Sequence, residues 1–220
     1  MKLKEDLGLA LAADRAKALQ LTPVSHETLA RLDRFAELLI HWQKSVNLVA
    51  TSTLPELWTR HIADSLQLLM LIEAPNLWID LGSGAGFPGM IIGCMLAEQP
   101  GTEVHLIESN QKKAAFLREA VRVTGAPAKV HATRIEDFAA SFSGRADVVS
   151  ARALAPLTEL FKLAYPLLKT GAIGVFPKGQ DVGAELTKAS KYWKFQYDLV
   201  PSLTNPEGQI VVVQNIALVS

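Results

Sequence analysis

One cysteine, Cys94, is all the chain contains. A disulfide framework within the chain and a multi-cysteine zinc site are thereby excluded, and a reducing cytoplasm is the expected compartment. The five histidines are scattered and suggest no metal site. Net charge is missing too, because Lys plus Arg and Asp plus Glu both number 22. A neutral molecule has no global field to draw in a polyanion, so a nucleic acid would have to be held by local patches. No apolar run reaches the length of a membrane span. The opening residues MKLKEDLGLALAADRAKAL interrupt their apolar positions with acids and bases and lack a signal-peptide core. A soluble, cytoplasmic protein with no membrane attachment is expected. Repeats, low-complexity tracts and long heptads are likewise absent, which favours a monomer.

What is present begins with size and apolar content. The 220 residues, 49% hydrophobic, suffice for one good-sized α/β domain with an appendage. From Ser25, a plausible N-cap, residues Leu29, Leu32, Phe35, Leu39, Trp42 and Val46 fall at helical steps of three and four. A second helix is expected from Thr53, with Pro55 in its first turn and Trp58, Ile62, Leu66 and Leu69 on one face. Residues 1–74 therefore read as a helical extension, and Pro75-Asn76 as the joint to a domain over 75–220. Beyond the joint, LWID, VHLIE, KVHA, DVVSA, AIGVF and QIVVVQNI read as strands. Helices are expected at 88–96, 111–124, 157–168 and 181–192. Apolar strands alternating with helices predict a mainly parallel sheet covered on both faces, and the segment after Lys178 suits an antiparallel edge hairpin.

Between the first strand and helix lies GSGAGFPG, four glycines in eight positions. Such a turn lets backbone approach a ligand at the carboxyl edge of a sheet, although tight β-to-α turns also need glycine. The letters satisfy two templates. Gly84 to Gly89 matches the dinucleotide fingerprint GxGxxG, with Glu108 nineteen positions after its last glycine, where a ribose-binding acid belongs. Asp80-Leu-Gly82-Ser-Gly84-Ala-Gly86 also reads as the DxGxGxG motif of enzymes using S-adenosylmethionine. There, Asp80 would orient the methionine part through its ammonium or a water, Gly82, Gly84 and Gly86 would bring backbone close, and Glu108 would accept from both ribose hydroxyls. Two observations favour the second template. An acid at the mouth of the loop suits a cationic cofactor better than a pyrophosphate, and no hydride-transfer constellation is evident. An NAD-dependent oxidoreductase and a same-fold methyltransferase acting on a small molecule remain the alternatives.

The stretches NLVATSTLPELWTRHIADSL, LWIDLGSGAGFPGMIIG, LIESNQKKAAFLRE, HATRIEDF, DVVSARALAPL and FPKGQD, in this order, closely resemble the bacterial small-subunit rRNA guanine-N7 methyltransferase family. It is also called methyltransferase G or glucose-inhibited division protein B. The match runs from about Leu29 to Asp181, and the Phe-Pro-Gly ending of the glycine loop is its most particular mark. The resemblance implies a class I, Rossmann-like fold with a mainly parallel seven-stranded sheet, an antiparallel edge strand and the N-terminal helical extension. It implies transfer of a methyl group from S-adenosylmethionine to N7 of a guanine in 16S rRNA, within the 30S particle. Gly82 and Phe87 would touch the cofactor, Glu108 its ribose, and Ile135 and Glu136 its adenine. Arg152 would lie beside the methionine part and the incoming guanine. His61, Asp64, Ser65 and Asn47 would pack the extension over the pocket, and Lys178 would meet RNA or the base. The C-terminal PEGQIVVVQNIALVS lacks the arginine and lysine that often flank the family's last strand.

The residue types agree with this chemistry. Guanine N7 carries a lone pair and no proton, so alignment and electrostatics suffice without a general base. A carbon-5 pyrimidine enzyme would need a cysteine nucleophile, whereas Cys94 in MIIGCML reads as a packed core thiol. An exocyclic-amine enzyme would normally show a Pro-Pro-aromatic segment, and the chain has no Pro-Pro pair. Plainer readings stand beside these. Arg152 would pair structurally with Asp147 or Glu159, His61 and Asp64 would bond each other, Trp42 and Trp58 would be core, and Lys112, Lys113, Arg118 and Arg122 would be a solvated helix face. For naked RNA, modest affinity and steep salt sensitivity are expected.

Overall fold

The computed structural model describes residues 2–219, with side chains over 7–219. It opens with helices α1 (Lys2–Leu21) and α2 (His26–Trp42). Ser25 caps α2, its hydroxyl oxygen accepting the Thr28 N–H at 3.0 Å, and Leu32, Phe35 and Leu39 are fully buried. The single α-helix expected from Thr53 does not form. Thr51–Glu56 is 3-10, Trp58–Ala63 is π-helical, α3 (Asp64–Leu66) is one short turn, and Gln67–Leu71 is 3-10 again. Two causes are visible. Pro55 has no N–H to give to an α ladder. Asp14 of α1 captures the N–H groups of Trp58 at 2.8 Å and Thr59 at 3.0 Å, which diverts them from i−4 carbonyls.

The remaining elements alternate: β1 (Leu77–Leu81), α4 (Gly89–Leu96), β2 (Glu103–Ile107), α5 (Gln111–Thr124), β3 (Ala128–His131), α6 (Ile135–Ser141), β4 (Val148–Ser150), α7 (Leu157–Leu168), β5 (Ile173–Lys178), α8 (Val182–Ala189), β6 (Trp193–Pro201) and β7 (Gln209–Leu218). They form one seven-stranded sheet in the order β3-β2-β1-β4-β5-β7-β6. The first five strands pair in parallel, and β7 runs antiparallel to both β5 and β6. Helix α6 escaped the sequence reading because it has only seven residues and Arg134 at its start makes no side-chain cap.

Helices cover both faces of the central strands, so β1, β2 and β4 are buried almost throughout, whereas the edge strand β6 alternates apolar and polar residues and is largely exposed. On one face Trp78, Val104, Leu106 and Val148 pack against α2, α4, α5 and the irregular helices before β1. On the other, Ile79, Leu81, Ile107 and Val149 pack against α6, α7 and α8. The extension thus shares a core with the sheet, with Phe35 edge-on to Phe87 at 5.5 Å. Glu98, just past α4, ties α2 down by accepting from Ser25, Thr28 and Arg31. The strand order reverses between β1 and β4, and at such a switch point the carboxyl ends leave a crevice.

Candidate functional site

The glycine loop enters that crevice from β1. Gly82, Gly84 and Gly86 hold φ of +69°, +56° and +94°, the left-handed region that disfavours side chains. Gly89 is required for a different reason. A Cβ there would stand 2.6 Å from Asp80 Cβ and 2.5 Å from Leu106 Cδ2. The start of α4 therefore lies directly on β1, and the Gly89 N–H donates to Asp80 Oδ2 at 3.1 Å. Asp80 has no exposed surface; its Oδ1 accepts from Ser150 Oγ at 2.7 Å, and Ser150 accepts from the Trp78 indole at 2.8 Å. Burial pushes the Asp80 carboxyl up to about 6, against the hydrogen bonds and the Arg152 charge that favour its ionised form. At Gly84, by contrast, a Cβ would meet nothing nearer than 3.7 Å, so this side of the loop is an open cradle. The Gly84 N–H donates to Glu108 Oε2 at 2.8 Å, and Asn110 N–H to Oε1 at 2.7 Å. Two further acceptor positions of that carboxylate are left for a ligand.

Across the crevice, at the end of β4, Arg152 gathers the residues of the helical extension. Its guanidinium donates to Asp64 Oδ2 and to the Arg60 carbonyl, both at 3.2 Å, and to His61 Nδ1 at 2.8 Å. It lies 5.0 Å above the Phe87 ring, on which the His61 ring also stacks at 5.0 Å. Arginine can only donate, so His61 Nδ1 must present its lone pair and the ring proton sits on Nε2. That proton goes to Thr53 Oγ1 at 3.0 Å, whose hydroxyl donates to the Ala50 carbonyl at 2.8 Å. Burial first, then the charges of Arg152 and Arg60, lower the His61 pKa to about 3. His61 is therefore a neutral acceptor throughout the physiological range. Burial also lowers the pKa of Arg152, opposed chiefly by Asp64.

These groups line one cleft of about 910 Å³, bounded by the glycine loop, the Arg152 cluster, Lys178 and the β6–β7 loop. A match to the family described as rRNA small subunit methyltransferase G covers residues 28–211. The chain belongs to this family. The ribosomal RNA small subunit methyltransferase G of Bradyrhizobium sp. strain BTAi1 is 59% identical over 206 residues, covering 94% of this chain and 93% of its own. That of Rhodopseudomonas palustris strain BisB18 is 56% identical over 201 residues, covering 91% and 86%. Among solved structures, an O-methyltransferase from Bacillus cereus in complex with SAH superposes with a TM-score of 0.60 at 12% identity, over 95% of this chain and all of its own. The O-methyltransferase TomG from Streptomyces achromogenes, in complex with SAM, gives 0.59 at 12% identity, over 93% and 96%. At such low identity these two speak for the fold alone.

The expected site residues divide into groups. Gly82, Gly84, Phe87, Arg152, His61, Asp64 and Lys178 all line the cleft. Ser65 is buried behind them, its hydroxyl on the His61 carbonyl at 2.6 Å. Asp80 turns its carboxylate to Ser150 and Gly89, where it holds the loop backbone, and does not line the cleft. Glu108 just past β2, and Ile135 and Glu136 in the first turn of α6, are outside the cleft lining. Asn47 is exposed, and only its neighbours Leu48 and Val49 reach the cleft. Lys178 donates to Glu185 Oε2 at 2.8 Å and the Ala155 carbonyl at 2.7 Å.

The plainer partners for Arg152 are not used: Asp147 accepts from the Asn76 and Leu77 N–H groups, and Glu159 pairs with Lys162. Nor do His61 and Asp64 bond each other; both meet Arg152 instead. Cys94 is a core thiol, fully buried and pushed by desolvation up to about 12. Among the described residues, no group of three or more His, Cys, Asp or Glu is placed to hold a metal ion, and no helix is long and apolar enough to cross a membrane. Sequence reasoning missed Ser150, Thr53, Lys17 and Glu207. Only Ser150 had a local signal, its place in DVVSA beside a strand ending in Asp80.

Proposed function

We propose that this chain transfers a methyl group from S-adenosylmethionine to N7 of a guanine in 16S rRNA, acting on the 30S particle. Membership of the methyltransferase G family carries the proposal, and the site chemistry supports it. The open side of Gly84, the free acceptor positions of Glu108 and the first turn of α6, with Ile135 and Glu136, suit the loop, ribose and adenine of the cofactor. Asp80 serves as a positioning residue that fixes the start of α4 under the loop. Bound there, S-adenosylmethionine supplies an electrophilic methyl on a sulfonium.

The chain's own task is then to hold the base. Guanine N7 has no proton to lose, and the histidine of the cleft is not poised as a base, because His61 has its lone pair committed to Arg152. Arg152 is held by three acceptors and the face of Phe87, so little reorganisation is needed for it to orient guanine or the adjoining phosphate. Lys17 and Arg60, at the rim, suit RNA phosphates.

The test is methyl transfer from tritiated S-adenosylmethionine to 30S particles and to naked 16S RNA, both from a strain lacking the enzyme, followed by mapping of the modified base. Label at guanine N7 is expected; label on protein or on another base atom would overturn the reading. Arg152→Ala is expected to lower transfer about a hundredfold at saturating substrate, with cofactor binding by calorimetry little changed. Full transfer by that variant would remove Arg152 from the mechanism.

A further inference from the structure

The charged side chains that line the cleft pair off incompletely. Arg152 meets Asp64 at 3.2 Å, Lys178 meets Glu185 at 2.8 Å, and Arg60 meets Glu56 at 3.5 Å. Two remain without an ionic partner among the described residues, the cation Lys17 on α1 and the carboxylate Glu207 on the β6–β7 loop. We propose that Glu207 reads the pairing edge of the target guanine, an inference that rests on the function proposed above.

Three lines of argument converge on it. The first is chemical. With N7 turned to the methyl donor, guanine points its N1–H and 2-amino group the opposite way, and a carboxylate accepts from both in parallel. Adenine carries a lone pair at N1, which a carboxylate repels, so the same group discriminates between purines. The second is placement. Gly84 follows β1, and Glu207 precedes β7, three strand spacings along the same sheet edge, about 14 Å at the usual separation. Both residues line the cleft that crosses these strands.

The third is preorganisation. Ser202 Oγ accepts from Thr204 and Asn205 N–H at 3.2 and 3.3 Å, Asn205 Oδ1 accepts from the Glu207 N–H at 3.1 Å, and Gly208 N–H closes the turn on the Asn205 carbonyl at 2.9 Å. The loop is also tied to the extension, with Leu203 N–H on Gln67 Oε1 at 2.8 Å and Thr204 Oγ1 on Asp64 Oδ1 at 2.7 Å. Asp64 Oδ2 holds Arg152. One carboxylate thus fixes both the base-placing guanidinium and the loop that carries Glu207. The exposed Glu207 side chain makes no hydrogen bond or ion pair among the described residues, so its replacement is expected to leave the fold intact.

The test compares wild type with Glu207→Gln, Glu207→Ala and Glu207→Lys in methyl transfer to 30S particles lacking the modification, alongside calorimetry with S-adenosylmethionine. Removing a charged acceptor is expected to lower kcat/KM about tenfold to a hundredfold in Glu207→Ala, less in Glu207→Gln, which keeps one acceptor, and most in Glu207→Lys. Cofactor affinity stays within about twofold of wild type in all three. Glu207→Ala and Glu207→Lys variants with kcat/KM within about twofold of wild type would overturn the assignment while leaving the function standing. Wild-type label absent from guanine N7 would instead overturn the function, and this inference with it.

Discussion

Asp80 is an acid kept at the bottom of the glycine loop with no water around it, and its cost depends on pH. Its carboxyl holds a proton up to about 6 in the folded chain, compared with an ordinary value of 3.8. Because the folded state binds that proton more tightly, the associated stability is fully present below the ordinary value and is lost as pH rises through about 6. Roughly 3 kcal/mol is involved, at about 1.4 kcal/mol for each unit of pKa. An amide does not titrate. In urea unfolding, the stability of wild type minus that of Asp80→Asn is therefore expected to fall by up to this amount between about pH 4 and about pH 7.5. A difference that stays constant across this window would show that Asp80 does not titrate as its burial demands. His61 moves the other way: its depressed pKa makes it favour the folded state above the ordinary histidine value and oppose folding as pH falls from there towards about 3. Only the single variants separate the two.

At the scale of elements, the turn from β1 to α4 and the π turn are each open to a probing substitution. Gly89→Ala drives a methyl into Asp80 and Leu106, contacts of 2.5 to 2.7 Å that a packed strand cannot relieve. About 2–3 kcal/mol of stability should be lost, by denaturant midpoint, together with cofactor binding. Gly84→Ala has room for its methyl and loses only about 1 kcal/mol for the left-handed backbone. If its cofactor affinity nonetheless falls sharply, close approach of a ligand is the reason for the glycine. Asp14→Ala frees the Trp58 and Thr59 N–H groups of the π turn that carries Arg60 and His61. It is expected to cost about 1–2 kcal/mol and to lower methyl transfer more than cofactor binding. Equal losses in both would place the π turn outside substrate handling. GSGAGFPG and the six apolar runs were legible because they are local patterns. The π turn was not, since its cause lies on a helix some 45 residues away in the chain.

For the whole molecule, neutrality decides how RNA is held. With most cleft charges paired internally, few cations are left to displace counterions from naked RNA. Affinity for naked 16S RNA should be modest and should fall about tenfold or more between about 50 and about 200 mM salt. Transfer to assembled particles should fall less, because shape and ribosomal proteins add contacts that salt does not screen. Filter binding beside transfer assays checks this, and an identical salt dependence for the two substrates would count against the particle as the favoured one.

The layered α/β architecture, the glycine loop after β1 and the family were all readable in the sequence. These follow from apolar periodicity, glycine spacing and contiguous motifs, which lie within a few residues of one another. The partners of Asp80 (Ser150 and Gly89), the choice by Arg152 of Asp64 and His61 over Asp147 or Glu159, and the anchor that the β6–β7 loop shares with the Arg152 cluster came from the tertiary structure. Apart from the Asp80–Gly89 bond, which spans nine residues, each of those contacts joins segments about 70 to 140 residues apart. Such partners are chosen by the crossing of strands and helices, and a linear pattern carries no record of that choice.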